Sequence, residues 1–279
     1  MVKAEGYKRF CNRPSFLIDT DFPPYRNYSV VTRTDLHVKI LDETVINRAK
    51  ARGLELIVYA PHFTQLPTIE ARAAEYSSDT VTVLPAREIF TGPWWQRRHL
   101  LAIGLQDPIP DFIPLELAIS EVKRQGAALL VPHPTFFSVS MSASDIDQYA
   151  SSLDAIEVYN PKHLPFHNNR AERLASRYTL PRFASSYAHL PTTVGEVWTK
   201  IEADIEDVHD LRDAIQSGAV ASPTRRPGFT HRLRQTAEIA HLGWENSWQK
   251  FERTILKGTE STHPTNPLYP NRFRDAIDA

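Results

Sequence analysis

Six residues able to ligate a metal recur at comparable places along the chain: His37, His62, Glu88, His99, His133 and His189. Imidazole nitrogen and carboxylate oxygen form the donor set of zinc, manganese and iron sites. A set of two histidines and one glutamate leaves a coordination position for water, whose pKa the metal lowers toward neutrality. The single cysteine, Cys11, excludes both an intrachain disulfide and a thiolate-rich structural zinc site. A centre of this composition is catalytic in type.

Residues so far apart in sequence need a scaffold that gathers them. Short apolar, β-branched runs at 34–40, 54–60, 81–86, 99–105, 127–132, 155–159 and 182–186 are each followed by a segment with helical spacing. That alternation predicts parallel strands joined by crossover helices. Most of the six candidates fall at or just past the C-terminal end of a run, and His99 opens one. In an α/β barrel those ends converge on one face, where catalytic residues collect. Gly53, Gly126 and Gly218 follow helical runs as stop residues. Pro67 and Pro114 stand where a first helical turn would begin, and Ser144 is the expected cap of the segment that follows it.

After Gly218 the loop ASPTRRPGFT leads to a long helix ending near Gly258. Its residues Leu233, Ala237, Ala240, Trp244, Trp248, Phe251 and Ile255 make one apolar stripe. The tail STHPTNPLYPNRFRDAIDA is too rich in Pro and Asn to continue it. The expected organisation is an N-terminal extension (1–33), a barrel domain (34–222), and a C-terminal helix and tail packed on the barrel (223–279).

Composition narrows the function classes. With 279 residues, 42% hydrophobic, and Lys+Arg 32 against Asp+Glu 33, the chain reads as globular, with a formal net charge of -1. It lacks the basic excess that drives non-specific nucleic-acid binding, so any such contact must be a local patch. No run of about 18 apolar residues is present, which excludes a transmembrane helix. One cysteine and no apolar leader point to the cytoplasm. No phosphate-binding glycine loop, dinucleotide fingerprint, Gly-x-Ser-x-Gly elbow or Cys-His pairing occurs, so kinase, dehydrogenase and serine-hydrolase chemistry have no support.

The runs DLHVK (35–39), APH (60–62), ARE (86–88), HLLAIGL (99–105), PHP (132–134), IEVYN (156–160), NNRAERLA from Asn168 and SSYAH (185–189) resemble, in order and spacing, the motifs of the PHP (polymerase and histidinol phosphatase) superfamily. The resemblance extends to about Gly218. It implies a distorted seven-stranded (β/α)7 barrel whose mouth holds up to three divalent ions and hydrolyses phosphate esters. Carried over, Glu88, His99 and His133 form one complete metal site, His62 and His189 contribute to a second, and His37 with a bridging Glu88 belongs to a third.

The chain departs from that pattern where the third site is completed. The usual His-x-His appears as His37-Val38-Lys39, and the usual Ser-Asp-Ala-His as Ser186-Tyr187-Ala188-His189. Pro61 replaces an aspartate before His62. One or two ions, zinc or manganese, are therefore expected in preference to three. Lys39 places an ammonium where a cation would be held, able to neutralise Glu88 and contact phosphate. Tyr187 offers a phenol, and His37, Lys39 and Tyr187 form the expected catalytic group. Arg87, Arg97, Arg98 and Asn160 are candidates for substrate binding.

Trp94 and Trp95 could stack on a base or sugar. His163 and His167 read as a solvated loop, and Arg225, Arg226, Arg232 and Arg234 as a basic face able to meet nucleic-acid phosphates. The expected substrate is a small-molecule or nucleotide phosphate ester, with nucleic acid as a further possibility and no membrane partner. The alternative is a catalytically silent barrel that binds RNA or protein.

Overall fold

The computed structural model describes residues 30–93, 96–136, 139–228, 231, 233–234, 236–237, 240–241 and 260–276. Nine strands form one sheet: β1 (Thr32–Val38), β2 (Leu56–Tyr59), β3 (Thr82–Thr91), β4 (Arg98–Ile103), β5 (Ala128–Val131), β6 (Ala155–Tyr159), β7 (Arg182–Ala184), β8 (Val197–Ile201) and β9 (Val220–Arg225). Among the described residues the α-helices include α1 (Glu43–Arg52), α2 (Leu66–Tyr76), α3 (Leu115–Arg124), α4 (Ala143–Tyr149), α5 (Pro165–Tyr178), α6 (Val208–Gln216) and α7 (Asn271–Asp275). All seven expected strands are present, but the expected total of seven is too low by β8 and β9.

The sheet runs in the order β7-β6-β5-β4-β3-β2-β1-β8-β9 and curls until its ends nearly meet. Closure uses side chains and an isolated bridge. Thr199 of β8 donates its hydroxyl to the Ala184 carbonyl at 2.8 Å and accepts from the Ala184 amide at 2.9 Å. Past β7, Ala188 bridges in parallel to Val38, and the Lys39 amide donates to the Ala188 carbonyl at 2.9 Å. That bridge holds Tyr187 and His189, the neighbours of Ala188, beside the end of β1.

Not every strand is parallel. β4 runs antiparallel to both β3 and β5, and no helix separates it from β3. His99 therefore lies at the mouth although it opens its strand, because β4 points the opposite way from its neighbours. β8 and β9 are also antiparallel to their partners. Leu36, Val58, Ala86, Leu101, Leu130, Phe183 and Ile201, from seven strands, pack into one buried cluster with Leu211 and Ile215 of α6. Apolar side chains and α6 thus plug the barrel away from the mouth, as barrel interiors require.

Local signals behave as their chemistry dictates. Gly53, Gly126 and Gly218 all end helices with positive φ. The cap of α4 is Ser142 and not Ser144: its hydroxyl accepts from the Asp145 amide, and the Asp145 carboxylate accepts from the Ser142 amide. In the tail, Tyr269 and Phe273 are buried in one apolar cluster with α3 and α5 residues. The stripe from Trp244 to Ile255, Gly258 and most of the N-terminal extension lie outside the described residues. Among the described residues no helix is long and apolar enough to cross a membrane.

Candidate metal centre

The mouth is assembled around one carboxylate. β3 extends to Thr91, so Glu88 sits inside the strand and not past its end. In the β3–β4 ladder Glu88 faces Leu101 and Phe90 faces His99. Glu88 and His99 are therefore diagonal neighbours on one face of the hairpin, close enough for long side chains to meet. His133 follows β5 with φ 32, a left-handed backbone that is uncommon outside glycine. Its amide donates to Glu157 at 2.6 Å, which fixes that conformation.

Oε1 of Glu88 lies 3.0 Å from His133 Nε2 and 3.2 Å from His99 Nδ1. Donor atoms of Glu88, His99 and His133 all fall within 4.8 Å of one another, and the three residues are buried. Ligands about 2.1 Å from a tetrahedral ion stand about 3.4 Å apart, so the two shorter separations are close to those of a coordination sphere. Among the described residues, His99 Nδ1 and Nε2 and His133 Nδ1 have no hydrogen-bond partner, nor has either ring nitrogen of His37. Buried polar atoms are ordinarily satisfied, and a cation is what this donor set lacks. The residues fit a divalent ion.

The second oxygen, Oε2, has different company. It accepts a hydrogen bond from the Lys39 ammonium, which also donates to the Ala60 carbonyl at 2.5 Å. His62 Nε2 approaches the same oxygen at 2.9 Å, and His37 Nε2 stands farther off at 3.7 Å. The Tyr187 ring lies 4.8 Å from His37 and 5.1 Å from His133, with its hydroxyl 3.4 Å from His62 Nε2. Tyr187 also has a left-handed φ, 48. Behind it, Lys162 donates to the Tyr187 carbonyl, stands 2.5 Å from His189 Nδ1, and lies 4.1 Å from the centre of the Tyr187 ring.

Burial sets the charge states. It lowers the pKa of His62 to about 3 and of His133 to about 4, and holds His37 and His189 well below the usual histidine range. These imidazoles are neutral near pH 7, the form that ligates metals. Burial would raise Glu88, but Lys39 and the surrounding imidazoles overcome it and hold the carboxyl well below its ordinary value. Lys39 is lowered to about 8 by burial, which Glu88 opposes.

The other candidates are placed as follows. Arg87 is buried: it pairs with Asp111 at 2.9 Å and donates to the Glu88 carbonyl, so it braces β3 and is not available to substrate as expected. Arg98 is committed to Asp145 at 2.8 Å, which ties β4 to α4. Arg97 lies over the Phe112 ring at 4.1 Å. Asn160 is buried, donating to Glu157 and accepting from the Lys162 amide, so it shapes the turn after β6.

His163 and His167 are buried and not solvated; His163 stacks on Phe136 with ring centres 4.5 Å apart. The expected basic face is partly committed to protein partners: Arg234 reaches Glu196, Arg226 reaches the Gly195 and Arg52 carbonyls, and Arg225, itself exposed, reaches the Tyr159 hydroxyl. Arg232, Trp94 and Trp95 lie outside the described residues.

Sequence reasoning missed Lys162 and Glu157. A lysine in a turn is ordinarily solvated, and its one signal is its place two residues after Asn160. Glu157 accepts from His133, Asn160 and Ser185, and burial raises its pKa to about 7. The apolar neighbours of Glu157 within IEVYN were a readable signal that its carboxyl is buried.

A nearly closed α/β barrel with a buried histidine and glutamate cluster at its mouth is the class these features define. The PHP-associated family matches residues 165–220, which bears out the resemblance to the PHP superfamily read in the sequence. No curated protein matches the sequence. Among solved structures, the fold is similar to that of PsfC from Pseudomonas syringae PB-5123. The TM-score is 0.54 at 16% identity, over 80% of this chain and 99% of that one. It is also similar to the lesion-specific endonuclease PfuEndoQ from Pyrococcus furiosus, with TM-score 0.53 at 16% identity, over 70% of this chain and 58% of that one.

Proposed function

We propose that the chain is a metal-dependent hydrolase of phosphate esters, holding zinc or manganese at Glu88, His99 and His133. The observation that carries this reading is the spacing of three buried donor groups, with both ring nitrogens of His99 and Nδ1 of His133 lacking a hydrogen-bond partner among the described residues. A bound ion would supply an activated water and stabilise charge on a phosphoryl oxygen. The chain's own residues supply the rest. Lys39 is a fixed cation at the lip of Glu88, placed to hydrogen-bond a phosphoryl oxygen. The Tyr187 phenol is a neutral donor on the same side, and His37, neutral and wedged between Tyr187 and Glu88, keeps that side free of further carboxylate charge. His62, the most exposed member with 17% of its side chain accessible, can exchange a proton with solvent.

The substrate is a small-molecule or nucleotide phosphate ester, and the likeness to a lesion-specific endonuclease supports nucleic acid as a further candidate. The experiment is elemental analysis of purified protein together with hydrolysis of a chromogenic phosphate ester. About one equivalent of zinc or manganese with metal-dependent turnover is expected; protein that cannot be loaded with metal and does not turn over refutes the reading.

A second reading is a silent barrel that binds RNA or a protein. It is favoured by one contact: the Lys39 ammonium already satisfies the Glu88 oxygen that a further ion would share. Metal-free protein with salt-dependent RNA binding would support it.

A further inference from the structure

His133 holds a conformation that its own place in the chain disfavours. Its φ is 32, and it stands directly before Pro134, a position that sterics push toward extended backbone. The ring also lacks the usual brace of a metal-binding histidine. Such a residue ordinarily donates from its second ring nitrogen to a carboxylate or carbonyl, whereas His133 Nδ1 has no hydrogen-bond partner among the described residues. The direction of the ring therefore falls to the backbone, and Glu157 holds that backbone.

Glu157 belongs to β6 and is 1% exposed. Three donors point at its carboxylate. The His133 amide donates to Oε2 at 2.6 Å, the Asn160 side-chain amide donates to the same oxygen at 3.1 Å, and the Ser185 hydroxyl donates to Oε1 at 2.5 Å. Two of these bonds begin where the sheet ladders stop. The last β5–β6 pair is Val131 with Ile156, and the last β6–β7 pair is Tyr159 with Ala184. His133 lies two residues past the first ladder and Ser185 one past the second, so what the carboxylate adds is a tie between strand ends at the mouth. Among the described residues the donors close enough to share one ion are Glu88, His99 and His133, so Glu157 acts on the site without belonging to it.

We infer that Glu157 is a positioning residue: by clamping the His133 amide it aims the His133 ring at Glu88, and so sets the affinity of the Glu88, His99 and His133 site for its ion. Returning φ to the extended range favoured before proline would turn Cβ by more than about 100° about the N–Cα bond and carry Nε2 away from Oε1. The inference rests on the hydrolase reading for the ion, whereas the clamp on the backbone stands without one.

The test uses full-length protein and three measurements: zinc affinity by competition with a chromophoric chelator, the visible spectrum of the cobalt-loaded protein, and exchange of the His133 amide proton followed by NMR. Glu157→Ala is expected to weaken zinc binding about 10–100-fold, the usual cost of removing an outer partner of a metal ligand, to alter the cobalt spectrum, and to open the His133 amide to exchange. Glu157→Gln keeps an acceptor for His133 and Asn160 and can donate to the Ser185 hydroxyl oxygen, so it should recover most of the affinity. Ser142→Ala, which removes a remote helix cap, should lower stability in urea and leave zinc affinity and the cobalt spectrum unchanged. Undiminished zinc affinity in a folded Glu157→Ala overturns the inference, and so does weakened binding with the His133 amide still protected, or a Glu157→Gln as weak as the alanine variant. If Glu157→Ala does not fold, the parent decides: a slowly exchanging His133 amide in metal-free protein sustains the clamp, and a freely exchanging one overturns it. A protected amide in a parent that takes up no zinc would sustain the clamp and overturn the hydrolase reading.

Discussion

The two oxygens of Glu88 look out on two different neighbourhoods. Around Oε1 stand His133 and His99, whose remaining ring nitrogens have no other hydrogen-bond partner among the described residues. Around Oε2 stand Lys39, His62, Tyr187 and, beyond them, Lys162 and His189, a set rich in fixed cations and ring contacts. One side of the carboxylate is arranged to receive a cation and the other already contains one. An ammonium hydrogen-bonded to a carboxylate oxygen leaves no room for a divalent ion on that oxygen, and like charges a few Å apart repel by several kcal/mol in a partly buried site.

The largest expected effect comes from cutting both sides at once. Glu88→Gln is expected to abolish metal uptake, lower turnover by at least 100-fold, and cost on the order of 3 kcal/mol in urea unfolding, because it leaves the Lys39 ammonium buried without its counter-charge. Adding Lys39→Met should return most of that stability but no activity; a double variant as unstable as the single one would show that the pair is not the source of the cost. His133→Ala strikes only the Oε1 side. It should lose metal with a smaller stability change, as read by elemental analysis and unfolding of the same preparations.

Changes confined to the Oε2 side should be milder and should not cost metal. Lys39→Ala is expected to slow hydrolysis about tenfold while zinc at Glu88, His99 and His133 is retained. Lys39→His with Tyr187→Asp restores an imidazole and a carboxylate beside His37, and should raise the metal equivalent by one. No gain in metal would remove the distinction between the two sides.

Asp35, which accepts from the Ser186 amide at 2.9 Å, gives a pH signature to the same side. Burial raises its pKa from 3.8 to about 6, against opposing hydrogen bonds from Ser186 and neighbouring amides. The folded chain keeps a proton there that the unfolded chain releases from pH 4 upward. This group's penalty therefore grows between about pH 4 and 6 and is complete above it, on the order of 2–3 kcal/mol. Asp35→Asn should be relatively more stable than the parent at pH 7 and lose that advantage at pH 4; parallel stability profiles would count against the assignment. The smallest effect expected is that of Ser142→Ala, remote from both sides: about 1 kcal/mol from the lost cap of α4, with metal content unchanged.

Much of this was legible because the relevant signals are local. The seven apolar runs marked strands, the glycines marked helix ends, and residues at strand ends marked the mouth. What was hidden depended on direction and partners. The sequence of β4 does not say that it runs antiparallel, and β9 contains Pro223, which a sheet tolerates at its edge but which reads as a loop. β8 carried a visible signal in VWTKI, whose burial alternates residue by residue. The pairing of Arg225, Arg226 and Arg234 could not be read, since their partners Tyr159, Gly195 and Glu196 lie in other elements. Lys162 was invisible for the same reason.

The hairpin of β3 and β4 carries Glu88 and His99 within one short piece of chain, while barrel closure waits on β1 meeting β8 across most of the sequence. Hairpins form in microseconds, whereas distant pairings must first close large loops. Two of the three proposed metal ligands can therefore come together early in the chain's folding, before the mouth exists. A divalent ion present during synthesis would meet a chelating arm first and a finished active site later, with His133 arriving as the third tooth.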